Sequence, residues 1–396
     1  MEDPRNCITM GVSTEELERR WALAREVMRA DQIDFLVMRN DEEFLGGYVR
    51  WFTDVPARHS YPYTVIFPID DEMTLVSPGP FAPRDPGPPP WSVRGVKKRL
   101  GAPYFSSAHF TSSYDAELVA SVLKEKKNPV IGFVGTANIS FVFYEYLKKN
   151  LAGAKFVDMT DKIDVFKAIK SEEEISLIKR AAEMQDVAFE HLLKTIKPGM
   201  KESDVYTEAV YSCNLQGSSR GLVLVGSGPS GNPVPFKPLH LQNKVIQEGD
   251  YLSLLIEMNG PGGFYTELGR TISFGKPAQE LQDAFGVAVE AQALTLKNLK
   301  PGSNSKELWD GNNKFLEDKG YLAEARLYAH GQGYDLVERP LIRPDEPMVI
   351  EAGMSIVVHP TAATDTVWTG VVDNYMVTES GISECLHRTP KKIYEL

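Results

Sequence analysis

The sequence predicts an α/β protein built as two units. Two features carry that expectation. Helices alternate with short apolar strands up to about residue 160, and a long helix stopped by Lys-Pro-Gly occurs twice beyond it. The chain is also long enough for more than one core, with 396 residues of which 42% are hydrophobic. Glycine and proline are dispersed, as in a globular protein.

In the first unit, Ser13 and Glu16 have the spacing of a capping box, and Leu17, Trp21, Ala24 and Met28 then recur on one helical face. Residues 35–38, 64–67 and 73–76 read as strands. The proline-rich run 78–90 suits neither a helix nor a central strand and is expected to be an ordered irregular loop. A helix over 115–124, a strand at 130–134, a helix over 141–149 and a strand at 155–157 complete a unit spanning 1–164.

The polar run 167–174 marks the boundary, and the second unit is expected over 165–396. Its first helix carries Ile175, Ile178, Ala182, Ala188 and Leu192 toward a packed surface. Superposing the stops Lys197-Pro198-Gly199 and Lys300-Pro301-Gly302 matches Ala188 with Ala291, Leu193 with Leu296 and Ile196 with Leu299. That correspondence predicts two related α/β halves. Val223 to Gly228 reads as a strand entering a permissive glycine turn. The stretch from Asp250 to Glu257 and the run around Glu267 read as an antiparallel pair about Gly260-Pro261-Gly262-Gly263.

A net charge of −11 argues against nucleic acid as a partner. Cys7, Cys213 and Cys385 are too few and too scattered for a disulfide framework or a cysteine-rich zinc site. Neither a leader nor a membrane-spanning stretch is evident, so a cytoplasmic protein is expected.

Candidate chemistry gathers in the second unit. Glu257 and Glu267 fall near strand ends, where carboxylates can face a cleft, and Arg270 can orient a carboxylate. His330 lies among small residues in Tyr328-Ala329-His330-Gly331-Gln332-Gly333, and His359 ends an apolar strand. Imidazole titrates near neutral pH and suits acid–base work.

With these runs in view, the chain resembles the methionine aminopeptidase, prolidase and creatinase superfamily. The resemblance rests on the two Lys-Pro-Gly stops, Phe264-Tyr265-Thr266-Glu267-Leu268-Gly269-Arg270-Thr271, His330-Gly331-Gln332-Gly333 and Gly353-Met354. It implies a creatinase/prolidase-like N-terminal domain followed by a pseudo-symmetric pita-bread C-terminal domain. It also implies a two-metal centre of two aspartates, one histidine and two glutamates. Those positions fall here on Leu255, Glu267, His330, His359 and Val372, beside Asp373, and a second active-site histidine falls on Val337. Leucine and valine offer no lone pairs.

The expectation is therefore a non-peptidase hydrolase acting on a C–N bond of a small charged metabolite. It would use His330, His359, Glu267 and Glu257 and no cofactor. Beside it stand three alternatives: one iron or zinc ion on Glu267, His330, His359 and Asp373, a metal-dependent lyase resembling dimethylsulfoniopropionate lyase, and a non-enzymatic binding scaffold. Substrate contacts are expected from Tyr265 and Arg270, and from Trp51, Arg58, His59 and Tyr61 of the N-terminal unit. In the resembled family that part of one subunit approaches the other's cleft, which implies a homodimer.

Overall fold

The computed structural model describes residues 11–42, 44–45, 47–57, 61–80 and 93–396. Its contacts divide the chain between Lys167 and Ala168, and each unit has its own core.

In the first unit the Ser13 hydroxyl accepts from the Glu16 amide at 3.1 Å and starts α1 (Thr14–Asp31), whose Leu17, Trp21, Ala24 and Met28 are buried. Then come β1 (Phe35–Asn40), α2 (Gly47–Thr53), β2 (Tyr63–Pro68), β3 (Met73–Pro78), β4 (Val96–Ala102), α3 (Tyr114–Leu123), β5 (Val130–Val134), α4 (Phe141–Asn150), β6 (Lys155–Asp158) and α5 (Thr160–Ala168). The strands form one mixed sheet in the order β4-β3-β2-β1-β5-β6. Every helix and strand expected from the sequence is present, but α2, β4 and α5 were not expected. The β4 strand opens on Val-Lys-Lys-Arg at the sheet edge, where lysines face water and hide the apolar signal. Much of the proline-rich run lies outside the described residues.

The second unit opens with α6 (Glu172–Thr195), fixed by a complete capping box. The Ser171 hydroxyl accepts from the Glu174 amide at 3.2 Å, and the Glu174 carboxylate accepts from the Ser171 amide at 2.7 Å. Following it are α7 (Glu202–Leu215), β7 (Gly221–Pro229), β8 (Asp250–Asn259) and β9 (Tyr265–Ser273). The second half repeats the plan with α8 (Gln279–Asn298), α9 (Ser305–Asp318), β10 (Ala329–Gly331), β11 (Glu338–Leu341) and β12 (Ser355–Val358). After the hairpin β13 (Thr361–Ala363) and β14 (Trp368–Gly370) come β15 (Asp373–Thr378), β16 (Gly381–Ile382) and β17 (Tyr394–Glu395). Both Lys-Pro-Gly stops place their glycine in the left-handed region, Gly199 at φ +94° and Gly302 at φ +83°.

One sheet runs β17-β9-β8-β7 and the other β11-β10-β12-β15-β16. An isolated antiparallel bridge joins them. The Gly269 amide donates to the Val372 carbonyl at 3.1 Å, and the Val372 amide donates to the Gly269 carbonyl at 3.2 Å. A Cβ on Gly269 would lie 2.3 Å from Val372 Cγ2, so only glycine fits this seam. The glycines read as a turn after Val225 instead lie inside β7. A Cβ on Gly226 would come within 2.2 Å of the Pro235 carbonyl oxygen, so this glycine lets another segment cross the strand. Among the described residues no helix is long and apolar enough to cross a membrane.

Candidate active site

Strand register places the two glutamates together. Glu257 on β8 stands directly opposite Glu267 on β9, so both side chains leave the same face of the sheet. One pair along, Leu255 stands opposite Gly269, and across the other edge Leu222 and Leu224 of β7 face Glu257 and Leu255. The face thus carries a carboxylate row and, two residues away, an apolar row.

The second sheet supplies the imidazoles. His330 on β10 pairs with Val357 on β12, and His359 follows directly after β12. The His330 and His359 rings sit edge to face with centroids 5.3 Å apart. One ligating atom from each of Glu267, His330 and His359 lies within 4.8 Å of the other two. His330 Nδ1 is 2.8 Å from the Gly331 carbonyl oxygen, which can only accept, so Nδ1 carries the hydrogen. In the neutral ring Nε2 then holds a lone pair. That atom faces Glu267 Oε1, itself an acceptor, at 3.4 Å. Two acceptors this close call for a cation between them, either a second proton on the ring or a metal ion.

Neighbouring amides hold the carboxylates in place. Gln332 Nε2 donates to Glu267 at 2.9 Å, to Glu257 at 3.2 Å and to the Leu336 carbonyl at 3.2 Å. Asn374 Nδ2 donates to Gln332 Oε1 at 2.8 Å, while Asn374 Oδ1 accepts from the Glu267 amide at 2.7 Å. Burial, then the adjacent Glu267 carboxylate, push Glu257 well up, so it holds a proton more readily than an exposed carboxyl. Burial opposes ionisation of Glu267 too, but its contact with His330 and the field of His359 win and hold it low. Burial pushes His359 down to about 4 against the pull of Glu267, which leaves it neutral and able to coordinate.

Several expected site residues do other work. Arg270 is buried and does not face a substrate. Its guanidinium pairs with Asp373 at 2.7 Å and donates to the carbonyls of Gly269, Val372, Thr389 and Pro390. Asp373 is thereby spent on Arg270 rather than joining Glu267 and the histidines, because its side chain leaves the opposite face of β15 from that of Asn374. Trp51 packs in the first unit's core against Phe52 at 5.0 Å, with the Arg20 guanidinium 5.6 Å from its ring, and is not presented to a ligand. Tyr265 is buried on β9, Tyr61 is exposed, and Arg58 and His59 lie outside the described residues.

Sequence reasoning missed Gln332 and Asn374, although Gln332 lies two residues beyond His330, where a strand returns to the same face. It also missed Arg326, whose charge lowers the pKa of both Glu257 and His359. The Arg326 guanidinium has no ion-pair or hydrogen-bond partner among the described residues.

Two halves of like element order, with acidic donors from one sheet and imidazole donors from the other, have the plan of a pita-bread metallopeptidase fold. The model of metallopeptidase family M24 matches residues 176–379, just over half of the sequence, and the chain belongs to that family. It is 29% identical over 247 residues to YqhT, an uncharacterized peptidase of Bacillus subtilis, covering 61% of this chain and 69% of that one. It is 26% identical over 262 residues to the Xaa-Pro dipeptidase of Pyrococcus furiosus, covering 65% of this chain and 73% of that one. Among solved structures, the X-Pro aminopeptidase of Thermotoga maritima superposes with a TM-score of 0.80 at 18% identity, over 95% of this chain and 99% of that one.

These findings correct two expectations. Relatives named as peptidases overturn the non-peptidase hydrolase, since it was the count of lost ligands that argued for different chemistry. Membership of a metallopeptidase family, with a candidate ligand group in place, overturns the cofactor-free reading. The chain is a hydrolase by family. Its residues do not fit a two-metal centre, because Leu255 and Val372 pack against each other and Val357 where further donors would stand. Glu267, His330 and His359 do fit one ion, being two imidazoles and a carboxylate with converging donor atoms.

Proposed function

We propose that this chain hydrolyses the amide bond of a short peptide with the help of one bound transition-metal ion, held by Glu267, His330 and His359. The observation that carries the reading is the pair of acceptors, His330 Nε2 and Glu267 Oε1, 3.4 Å apart beside a neutral His359. A metal in such a site supplies Lewis acidity and a water that ionises near neutral pH. The Gly331 carbonyl fixes the tautomer of His330, and Gln332 locks the two carboxyls at a set spacing. Glu257, with its raised affinity for a proton, is the group suited to protonate a leaving amine. Arg326, whose guanidinium has no partner among the described residues, is suited to a substrate carboxylate. The names of the relatives point to dipeptides of the Xaa-Pro kind as the first substrates to try.

Metal content measured after chelation and re-addition of manganese, cobalt, zinc or iron(II) tests the proposal. One ion per chain is expected, lost in Glu267→Gln and His359→Ala, with dipeptide hydrolysis returning as that ion is restored. Binding of no ion, or hydrolysis unchanged in chelated protein, would refute it. The expected homodimer belongs to the same proposal and is read by light scattering on the purified chain.

A further inference from the structure

The two helix pairs of the second unit are counterparts, and they differ at one place. Counted from the two Lys-Pro-Gly stops, α9 corresponds to α7, and Leu294, Gly311 and Asn312 stand where the first half has His191, Glu208 and Ala209. In the first half His191 and Glu208 pair across α6 and α7 at 2.7 Å, and Ala209 is buried. Leucine and glycine cannot make that pair. Here a cavity of about 450 Å³ opens between the end of α8, the stop and α9, a size suited to a small ligand. Leu294, Pro301 and Leu308 give it apolar walls. A Cβ on Gly311, which also lines it, would meet nothing within 4 Å, so no close packing explains a glycine inside this helix. The walls are held in place. The Tyr328 hydroxyl donates to the Leu308 carbonyl at 2.9 Å, and the Ser303 hydroxyl accepts from the Lys300 amide at 3.1 Å and donates to the Asn298 carbonyl at 2.7 Å.

One polar atom in this cavity is left over. Asn312 is 1% exposed and lines the cavity, yet its Oδ1 accepts no hydrogen bond from the described residues. A buried acceptor without a donor is costly, which calls for a partner from outside the chain. Two opposite charges complete the lining. The Lys300 ammonium and the Glu307 carboxylate both border the cavity, and neither has a partner among the described residues. We propose that the cavity binds a free α-amino acid with an apolar side chain. The ligand's ammonium donates to Asn312 Oδ1 and Glu307, its carboxylate meets Lys300, and its side chain lies against Leu294, Pro301 and Leu308. A zwitterion answers both charges at once, whereas a simple anion or cation would leave one of them facing its own sign. Glu267, His330 and His359 do not line this cavity, so the inference stands apart from the peptide-hydrolase reading.

Calorimetric titration of the full chain with L-leucine, L-leucinamide and N-acetyl-L-leucine tests the site. One leucine per chain is expected, with a Kd of about 1 mM or tighter. The amide lacks the carboxylate and the acetylated form lacks the ammonium, so each should bind at least about tenfold more weakly. The double variant Leu294→His/Gly311→Glu installs the pair that closes the first half, and Asn312→Ala installs the first half's own residue. Each should weaken leucine binding at least about tenfold. Should either fail to fold, Lys300→Gln changes only an exposed side chain; it should weaken leucine severalfold and leave leucinamide unchanged. His359→Ala should bind leucine as the wild type does. No leucine binding, equal binding of all three ligands, or unchanged leucine binding in the cavity variants overturns the site. Binding lost in His359→Ala but kept in the cavity variants would place the amino acid at the metal ligands and overturn it too.

Discussion

The seam between the two halves makes Gly269→Ala a measurable perturbation. The new methyl would lie 2.3 Å from Val372 Cγ2 and 2.8 Å from Val372 Cβ. Carbon atoms in contact need about 3.5–4.0 Å, so the strands must part by roughly an ångström or the backbone must bend. Elsewhere in a strand, alanine in place of glycine would stabilise by about 0.5–1 kcal/mol. Here overpacking of a rigid backbone bridge should cost about 1–3 kcal/mol instead. Val372→Ala alone removes two buried methyl groups at a cost of about 2 kcal/mol. It also removes the nearer of the two clashes, so the double variant should be less unstable than the sum of the singles by about 1–2 kcal/mol. Urea unfolding of all four proteins completes the cycle. Additivity to within about 0.3 kcal/mol, or a Gly269→Ala protein with the wild-type midpoint, would show that the bridge is not tight and refute the argument.

Arg270→Met removes the buried ion-pair partner of Asp373, leaving Gln292, Cys385, His387 and Lys391 around it, and should cost about 3–5 kcal/mol by urea unfolding. A loss below 1 kcal/mol would mean the pair is not buried in solution. Burial pushes His387 down to about 4, against the pull of Asp373, whereas the unfolded chain's histidine titrates near its ordinary value of about 6.5. The unfolded state therefore takes up a proton first as pH falls, so this stabilisation is complete above about 6.5 and drains away toward 4, by up to about 3 kcal/mol. His387→Asn should flatten that part of the pH–stability curve, and parallel curves for the two proteins would contradict the assignment. Arg326→Ala should raise KM severalfold for a dipeptide with a free carboxylate and leave the KM of its amide unchanged; equal effects on both would remove Arg326 from substrate binding.

Much of the fold is legible in the sequence because it is locally encoded. The Ser171–Glu174 capping box, the two Lys-Pro-Gly stops and the period of Ala188 and Leu192 need no distant partner. The same holds for the β8–β9 pair around its glycines. By contrast, α2 is a short helix buried through Val49, Trp51 and Phe52, and nothing in its spacing separates a core anchor from a ligand-facing aromatic. In the site, Glu267, His330 and His359 stand out by residue type, but their convergence depends on two sheets joined through distant pairs such as Gly269 with Val372 and Glu267 with Asn374. Arg270 looked like a substrate clamp because strand parity cannot say which face is the cleft. Its carboxylate partner is Asp373, more than a hundred positions away. Counting what was lost at Leu255 and Val372 obscured what the three surviving donors can do together.

The short strand β17 lies parallel to β9, with Tyr394 beside Ile272, and the preceding residues are pinned to the first half. The Arg388 and Thr389 amides both donate to Asp186, at 2.8 and 2.9 Å. During synthesis, then, the strand bearing Glu267 waits with an open edge while more than a hundred further residues emerge from the ribosome. The N-terminal unit can mature long before this, but the hydrolase half is finished late and all at once. A nascent chain stalled short of residue 387 would hold its ligand strand without its outer neighbour, a form prone to pair with the wrong partner.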